Sequence, residues 1–270
     1  MKNTQIRNIQ KLLELNQKMG SVYGTEDFSI FLYSWVKMNR CQNVVELGTG
    51  LGCTSLWIAQ AMCENGSGRI STLDHGDSFS SQKDFERFVL PILKIFGING
   101  HIKQPREAYF SMLRESAKKL QIERHLKIIR GNIDIDKIGS SGGASYFKDP
   151  VEILFSDYQH DPGSILQILA AFLPHMASSS SIFIDSASTK LGSYLTLEQT
   201  VSQLNLGKIP RTLLGACHPK KRKAMIELVG TSRFTLVHMV ESKTRVQNST
   251  AWIKIDPVDL VSFPLDLLQG

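Results

Sequence analysis

The chain is sparing with cysteine. It has four in 270 residues, Cys41, Cys53, Cys63 and Cys217, and no two of them stand in C-x-x-C spacing. That excludes the common zinc and dithiol motifs, and a chain this long needs no disulfide framework to hold its core. A reducing, cytoplasmic setting is therefore expected. No apolar run approaches the roughly 20 residues that span a bilayer, and residues 1–10 lack the apolar centre of a secretory signal, so no membrane contact is expected. There is no internal repeat and no low-complexity tract. Charge of one sign is scarce too: 31 Lys and Arg against 25 Asp and Glu leave a net +6. So thin an excess is ordinary surface, and nucleic acid is a disfavoured partner. The one basic run, Lys220-Lys221-Arg222-Lys223, reads as a solvated loop.

What is present is globular: 42% hydrophobic and 21% charged residues, enough for a sizeable core. Ile6, Ile9, Leu12 and Leu13 recur at helical spacing and predict a helix to about residue 18, stopped by Gly20 and Gly24. Phe28, Phe31, Leu32 and Trp35 predict a second over 25–38. Apolar strands then alternate with helices. Strands are expected at 43–47, 69–73, 126–129, 151–155 and 181–184. Helices are expected at 54–62, in two pieces across 81–120, from residue 162, and at 195–204, with a loose loop at 139–143. Strands at 234–240 and 251–255 close the chain. Such alternation means parallel strands with helical crossovers. The expected fold is α/β: a doubly wound, mostly parallel sheet with a C-terminal antiparallel strand pair. Residues 1–40 form an N-terminal helical cap and 41–270 a single globular unit. Trp35 and Trp57 lie in helical patterns and are expected in the core.

In open sheets of this kind ligands bind outside the carboxyl ends of the strands. Five such ends carry polar residues: 46–52, Asp74, Asn132, Asp157 and Asp185. Any one Asp there can be a turn former or a helix cap; five on one rim suggest a site. The first end reads Glu46-Leu47-Gly48-Thr49-Gly50-Leu51-Gly52-Cys53-Thr54. Cys53 stands where the dinucleotide pattern G-x-G-x-x-G needs glycine, and no Gly-Lys-Ser/Thr follows to make a P-loop. Neither common phosphate cradle is matched.

Val44 to Gly52 resembles the first motif of the class I S-adenosylmethionine-dependent methyltransferases, and the similarity runs over about 43–186. It implies a Rossmann-like methyltransferase fold. It also implies that Glu46, Gly48, Thr49, Gly50, Gly52 and Thr54 surround the methionine part of the cofactor. Asp74 matches the acid that accepts hydrogen bonds from both ribose hydroxyls; His75, which follows it, either contacts the adenosine or is a turn residue. Asn132, with Gly131 and Ile133, matches the region flanking the adenine.

Asp157-Tyr158-Gln159-His160 resembles the fourth-strand motif of catechol-type and sugar-type O-methyltransferases. The resemblance implies that Asp157 touches cofactor and metal, that His160 is the base, and that Asp185 and Ser186 complete a site for Mg²⁺ or another divalent cation. Ser186 departs from the family's Asp or Asn, and Asp161 is a substitute ligand. The chemistry is coherent: a hydroxyl is a weak nucleophile until it loses its proton, and an imidazole changes charge near neutral pH. Against this, His160 can equally cap the helix that begins at Pro162. The expected function is methyl transfer to a hydroxyl of a small molecule. The alternatives are an RNA or protein methyltransferase, or a non-catalytic cofactor-binding protein. The Asn/Asp-Pro-Pro-Tyr/Phe motif of amino-group methylation is missing from the fourth strand end. Segment 81–120 exceeds a minimal crossover, which leaves it either an acceptor-pocket wall or a homo-oligomer contact.

Overall fold

In a computed structural model of the chain, residues 2–23, 26–98, 105–131, 138, 146–147, 150–188, 191–240 and 249–258 are described. The apolar runs become β1 (Asn43–Leu47), β2 (Arg69–Asp74), β3 (Leu126–Arg130), β4 (Val151–Ser156) and β5 (Met176–Asp185), followed by β6 (Ser232–Val240) and β7 (Ser249–Pro257). They form one sheet in the order β3-β2-β1-β4-β5-β7-β6. β1 to β5 pair in parallel, and β7 enters antiparallel between β5 and β6. The strand order turns back between β1 and β4, which opens a crevice at the carboxyl ends of those two strands.

The helices are α1 (Lys2–Tyr23), α2 (Glu26–Asn39), α3 (Cys53–Asn65), α4 (82–95), α5 (Pro105–Lys119), α6 (Pro162–Phe172), α7 (Leu191–Asn205), α8 (Arg211–Ala216) and α9 (Arg222–Thr231). Each face of the sheet has its own core. On one, Leu12 and Leu15 of α1 and Leu32 and Val36 of α2 cluster with Val44, Ile70, Phe155 and Phe183. The cap therefore shares the core of the sheet. Phe28 lies 5.6 Å from both Phe155 and Phe183, and Trp35 lies 4.9 Å from Trp252. Buried polar bonds fix the rotation of α1: Asn8 donates to Gln60 (3.0 Å) and to the Leu120 carbonyl (2.7 Å), while Trp57 donates to Asn16 (3.0 Å). On the other face Val45, Leu47, Leu73 and Leu154 pack with Ile165 and Ile168 of α6, Leu197 of α7 and Met225 of α9. Among the described residues no helix is long and apolar enough to cross a membrane.

The structure departs from the sequence reading in four places. α1 runs past Gly20 to Tyr23; a helical glycine costs only about 1 kcal/mol, and the packing of α1 on α3 outweighs that. The first piece of 81–120 is not a plain helix: it widens into a π stretch at Phe85–Val89, directly ahead of Pro91. Pro91 has no N–H to continue the ladder, and a wider turn accommodates the gap. β5 begins at Met176 rather than 181, with a register shift against β4 between Val151 and Ile153. Finally, α8 and α9 fill the stretch after Gly207, and the basic run forms a 3₁₀ turn (Pro219–Lys221) leading into α9 instead of a loop. The loop expected at 139–143 lies outside the described residues.

Candidate active site

Main-chain bonds gather the carboxyl ends of β1 to β4. The Gly48 N–H donates to Leu73 O (2.9 Å), the Asp157 N–H to Leu47 O (2.8 Å) and the Gly131 N–H to Asp74 O (2.9 Å). The glycine loop is shaped by close approach at its first position. Gly48 has φ +86°, and a Cβ there would stand 2.3 Å from the Asp157 carbonyl oxygen. Among the described residues nothing lies within 4 Å of where a Cβ on Gly50 (φ +52°) would stand, so bare backbone fronts the cleft. Gly52 answers a different need: its Cβ would strike Leu113 Cδ2 at 2.3 Å, so this glycine lets α5 approach.

Asp74 organises the loop. Its Oδ2 accepts the N–H of Thr49 (2.9 Å) and of Gly50 (3.3 Å), and its Oδ1 accepts the Gly76 N–H (2.6 Å). His75 Nδ1 accepts the Asp77 N–H (2.8 Å), which assigns the ring proton of the neutral form to Nε2. A cleft of about 340 Å³ lies here, lined by Gly48, Gly50, Asp74, His75 and Asp157, and also by Ser78, Phe79, Tyr158 and Gln159. Of these last four, Tyr158 and Gln159 stand in the fourth-strand motif without a role assigned to them, and Ser78 and Phe79, four and five residues after Asp74, were missed.

Three expected cofactor residues sit behind the loop. Glu46 is 1% exposed. Its Oε2 accepts from the Ser55 and Thr72 hydroxyls, and Thr72 in turn bonds the Thr49 hydroxyl (2.5 Å). Burial pushes the Glu46 carboxyl up to about 8, opposed by the two hydroxyls. Its other oxygen, Oε1, has no partner among the described residues. Thr54 is buried in the first turn of α3, and Gly52 faces Leu113 as described. Thr49 meets the site through its backbone, its hydroxyl being turned inward. Asn132 and Ile133 lie outside the described residues.

At the ends of β4 and β5 the structure brings together Asp157, His160 and Asp185. His160 Nδ1 lies 3.1 Å from the Asp185 carbonyl oxygen. A carbonyl only accepts, so Nδ1 carries the proton and Nε2 is the basic nitrogen. Nε2 stands 3.7 Å from Asp157 Oδ1, beyond hydrogen-bond length. The His160 side chain is 21% exposed. Capping of α6 falls to Asp161, whose Oδ1 accepts the Ser164 N–H (3.0 Å) and whose Oδ2 accepts the Ser164 hydroxyl (2.6 Å). His160 is therefore not the cap, and Asp161 is committed elsewhere than to a metal. Asp185 is 6% exposed. Its oxygens accept from Ser186 Oγ (2.8 Å) and from Thr250 Oγ1 (3.2 Å), a β7 donor that no motif points to. Burial first, and then the neighbouring carboxyls of Asp185 and Glu46, raise Asp157 well above the usual carboxylate range. Burial likewise raises Asp185, against the pull of its two hydroxyl donors.

The expected metal site was tested on its donors. Ser186 is fully buried with its hydroxyl spent on Asp185, and both Asp185 oxygens already hold hydrogen bonds. Among the described residues no group of three or more His, Cys, Asp or Glu is placed to hold a metal ion. A hard cation wants several converging oxygens. This donor set does not fit one.

No curated protein matches the sequence. Solved structures of the same fold do. A Klebsiella pneumoniae protein assigned to the O-methyltransferases is 14% identical over 92% of this chain and 90% of its own, with a TM-score of 0.50. The O-methyltransferase TomG of Streptomyces achromogenes, solved with SAM, is 13% identical over 91% of this chain and 89% of its own, at 0.50. The MycE methyltransferase of the mycinamycin pathway, solved with Mg, SAH and mycinamycin VI, is 14% identical over 94% of this chain and 57% of its own, also at 0.50. At such identities the likeness is one of fold, that of the Rossmann-like methyltransferases. The profile of the methyltransferase domain matches residues 45–187, more than half of the sequence and the whole stretch from the glycine loop to Ser186. The chain thus belongs to the methyltransferase domain family.

Proposed function

We propose that this methyltransferase uses S-adenosylmethionine to methylate a hydroxyl of a small molecule, with His160 as general base. The observation that carries the reading is the His160 ring: Nδ1–H is held by the Asp185 carbonyl, which leaves Nε2 as the acceptor on the rim. The cofactor fits on three counts. Gly48 and Gly50 offer backbone without side chains, Asp74 keeps acceptor capacity for ribose hydroxyls beyond its three N–H bonds, and Glu46 Oε1 is a buried polar atom with no partner among the described residues. TomG and MycE were solved with SAM and SAH respectively, which supports the same choice.

When bound, the cofactor supplies an electrophilic methyl group on a cationic sulfonium. The chain's own residues do the rest. The loop from Gly48 to Gly50 and Asp74 hold the donor in place. His160 Nε2 takes the acceptor's hydroxyl proton, and Asp157, whose Oδ1 lies 3.7 Å from Nε2, faces the imidazolium that results. Phe79 and Tyr158 close the cleft walls against water. General-base assistance of this kind is worth about 10²- to 10⁴-fold, and alignment of the reacting atoms supplies much of the remainder. No step is assigned to a metal, because the donor set does not fit one.

The test is His160→Gln, assayed by S-adenosylhomocysteine release over a panel of hydroxylated small molecules. The expected result is a fall in kcat of about 100-fold or more with unchanged cofactor affinity by calorimetry. Wild-type kcat in the variant removes His160 as base; absence of any cofactor binding to the unaltered chain removes the whole reading.

A further inference from the structure

One row of the sheet, just below the glycine loop, changes character on two neighbouring strands. Across it in register lie Ile128 of β3, Thr72 of β2, Glu46 of β1, Phe155 of β4, Phe183 of β5 and Trp252 of β7. One step down the same face, β1 and β2 present Val44 against Ile70, both fully buried. Thr72 is 0% exposed and Glu46 1%. A row that only filled the core would be apolar throughout, because burying a hydroxyl or a carboxyl costs free energy unless its bonds are met. The polar pair falls on the strand that ends in the glycine loop and on the strand that ends in Asp74.

The bonds of that pair run in one direction. Glu46 Oε2 accepts the Thr72 hydroxyl (2.5 Å). A hydroxyl has a single proton, so the Thr72 oxygen is left to accept from the Thr49 hydroxyl, also at 2.5 Å. Thr49 is thereby held twice by β2: its side chain by Thr72, and its N–H by Asp74 Oδ2 at 2.9 Å. Thr72 and Asp74 stand two apart on one strand and so face the same side.

This double hold matters because of what flanks it. Thr49 lies between Gly48 at φ +86° and Gly50 at φ +52°, and glycine leaves the chain more conformational freedom than any other residue. A loop of that composition has many forms open to it. Fixing Thr49 at side chain and main chain selects one, so less ordering is left to be done when a ligand arrives.

We infer that Thr72 is a positioning residue of the cofactor site: through the Thr49 hydroxyl it fixes the glycine loop in the form that receives the methionine part of S-adenosylmethionine. The inference rests on the cofactor reading above. Thr72 is fully buried, so it acts through Thr49 and not on the ligand itself. Glu46 is the anchor that takes the Thr72 proton. Ser55 supplies the contrast, since it donates to the same Glu46 oxygen from α3 and not from β2.

Calorimetry on the full chain with S-adenosylmethionine and with S-adenosylhomocysteine tests it, with melting curves to confirm that each variant is folded. Thr72→Val keeps the branched shape and removes the hydroxyl, and affinity for both ligands should fall about three- to tenfold. Thr72→Ser restores the hydroxyl and should recover most of that loss, which a need for bulk alone would not allow. Thr49→Val should match Thr72→Val, and carries the comparison if Thr72→Val does not fold. The double variant should bind no worse than either single one, because both remove the same arm. Ser55→Ala takes a donor from Glu46 without releasing Thr49, so it should lose stability and keep its affinity. Unchanged affinity in Thr72→Val and Thr49→Val, losses that add in the double variant, or an equal fall in Ser55→Ala each overturns the inference while the cofactor reading stands. No binding of either ligand by the unaltered chain removes that reading, and the inference with it.

Discussion

The Asp157 carbonyl oxygen stands 2.3 Å from where a β-carbon on Gly48 would lie. The first loop of the sheet and the end of its fourth strand are thus in main-chain contact, and the wall of the cleft leaves no room for a methyl group. Gly48→Ala should displace Asp157 as well as strain a φ of +86°. The expected outcome is a loss of stability of about 1–3 kcal/mol and a fall in S-adenosylhomocysteine affinity of at least tenfold. Gly50→Ala provides the contrast: among the described residues nothing lies within 4 Å of its Cβ, so it should cost only the left-handed strain, about 1–2 kcal/mol, while still weakening the cofactor. Melting curves and titrations on both variants check this, and equal stability losses in the two count against the contact.

Asp74 ties Thr49, Gly50 and Gly76 through one carboxylate. Asp74→Asn keeps the shape but replaces one acceptor oxygen by a donor that would face an N–H. Cofactor affinity should fall by about tenfold or more, since hydrogen bonds to a charged group are worth about 1.5–3 kcal/mol each. Calorimetry measures it; an unchanged affinity would remove Asp74 from the cofactor site.

Glu46 gives stability a pH dependence of known sign. Its folded value of about 8 lies above the ordinary 4.5, so between these values the folded chain holds a proton that the unfolded chain has released. The contribution is fully present below pH 4.5 and is lost as pH rises through about 8. Glu46→Gln, neutral throughout, should flatten that part of the profile and be the more stable protein, relative to the parent, at the alkaline end. Urea denaturation at pH 5, 7 and 9 reads the difference; parallel profiles for the two proteins rule out Glu46 as the source.

Removal of divalent cations should leave turnover within about twofold, because a hard-ion site needs several converging ligands, no group of three or more His, Cys, Asp or Glu is placed to hold an ion among the described residues, and the Ser186 hydroxyl is spent on Asp185. Dialysis against a chelator, followed by the release assay, checks this. Loss of activity restored by Mg²⁺ would return Asp157 and Asp185 to the role of metal ligands.

The strands were legible because sandwiched parallel strands must be apolar on both faces, and Val44-Val45 and Ile153 to Phe155 could be little else. The rim acids were legible from their position just after those runs. Less visible was the direction in which a side chain points at the end of a strand: Glu46 lies in the glycine motif yet turns back to Ser55 and Thr72. Thr250 could not be assigned before β7 was known to pair with β5, since that contact joins residues 65 positions apart. The spacing of Leu213, Met225, Leu228 and Val229 did carry a helical signal, obscured by the basic residues beside it. The capping of α6 by Asp161 rather than His160 was also open to sequence logic, since Asp before Pro-Gly-Ser is an N-cap pattern.

The placement of β7 between β5 and β6 carries a consequence for biosynthesis. A chain still emerging from the ribosome presents β5 as an open edge, with the Asp185 carboxyl lacking its Thr250 donor, until residues 249–258 arrive. A segment translated after β6 is thus inserted between β5 and β6, and the His160–Asp185 corner cannot take its final form while any part of that segment remains in the exit tunnel.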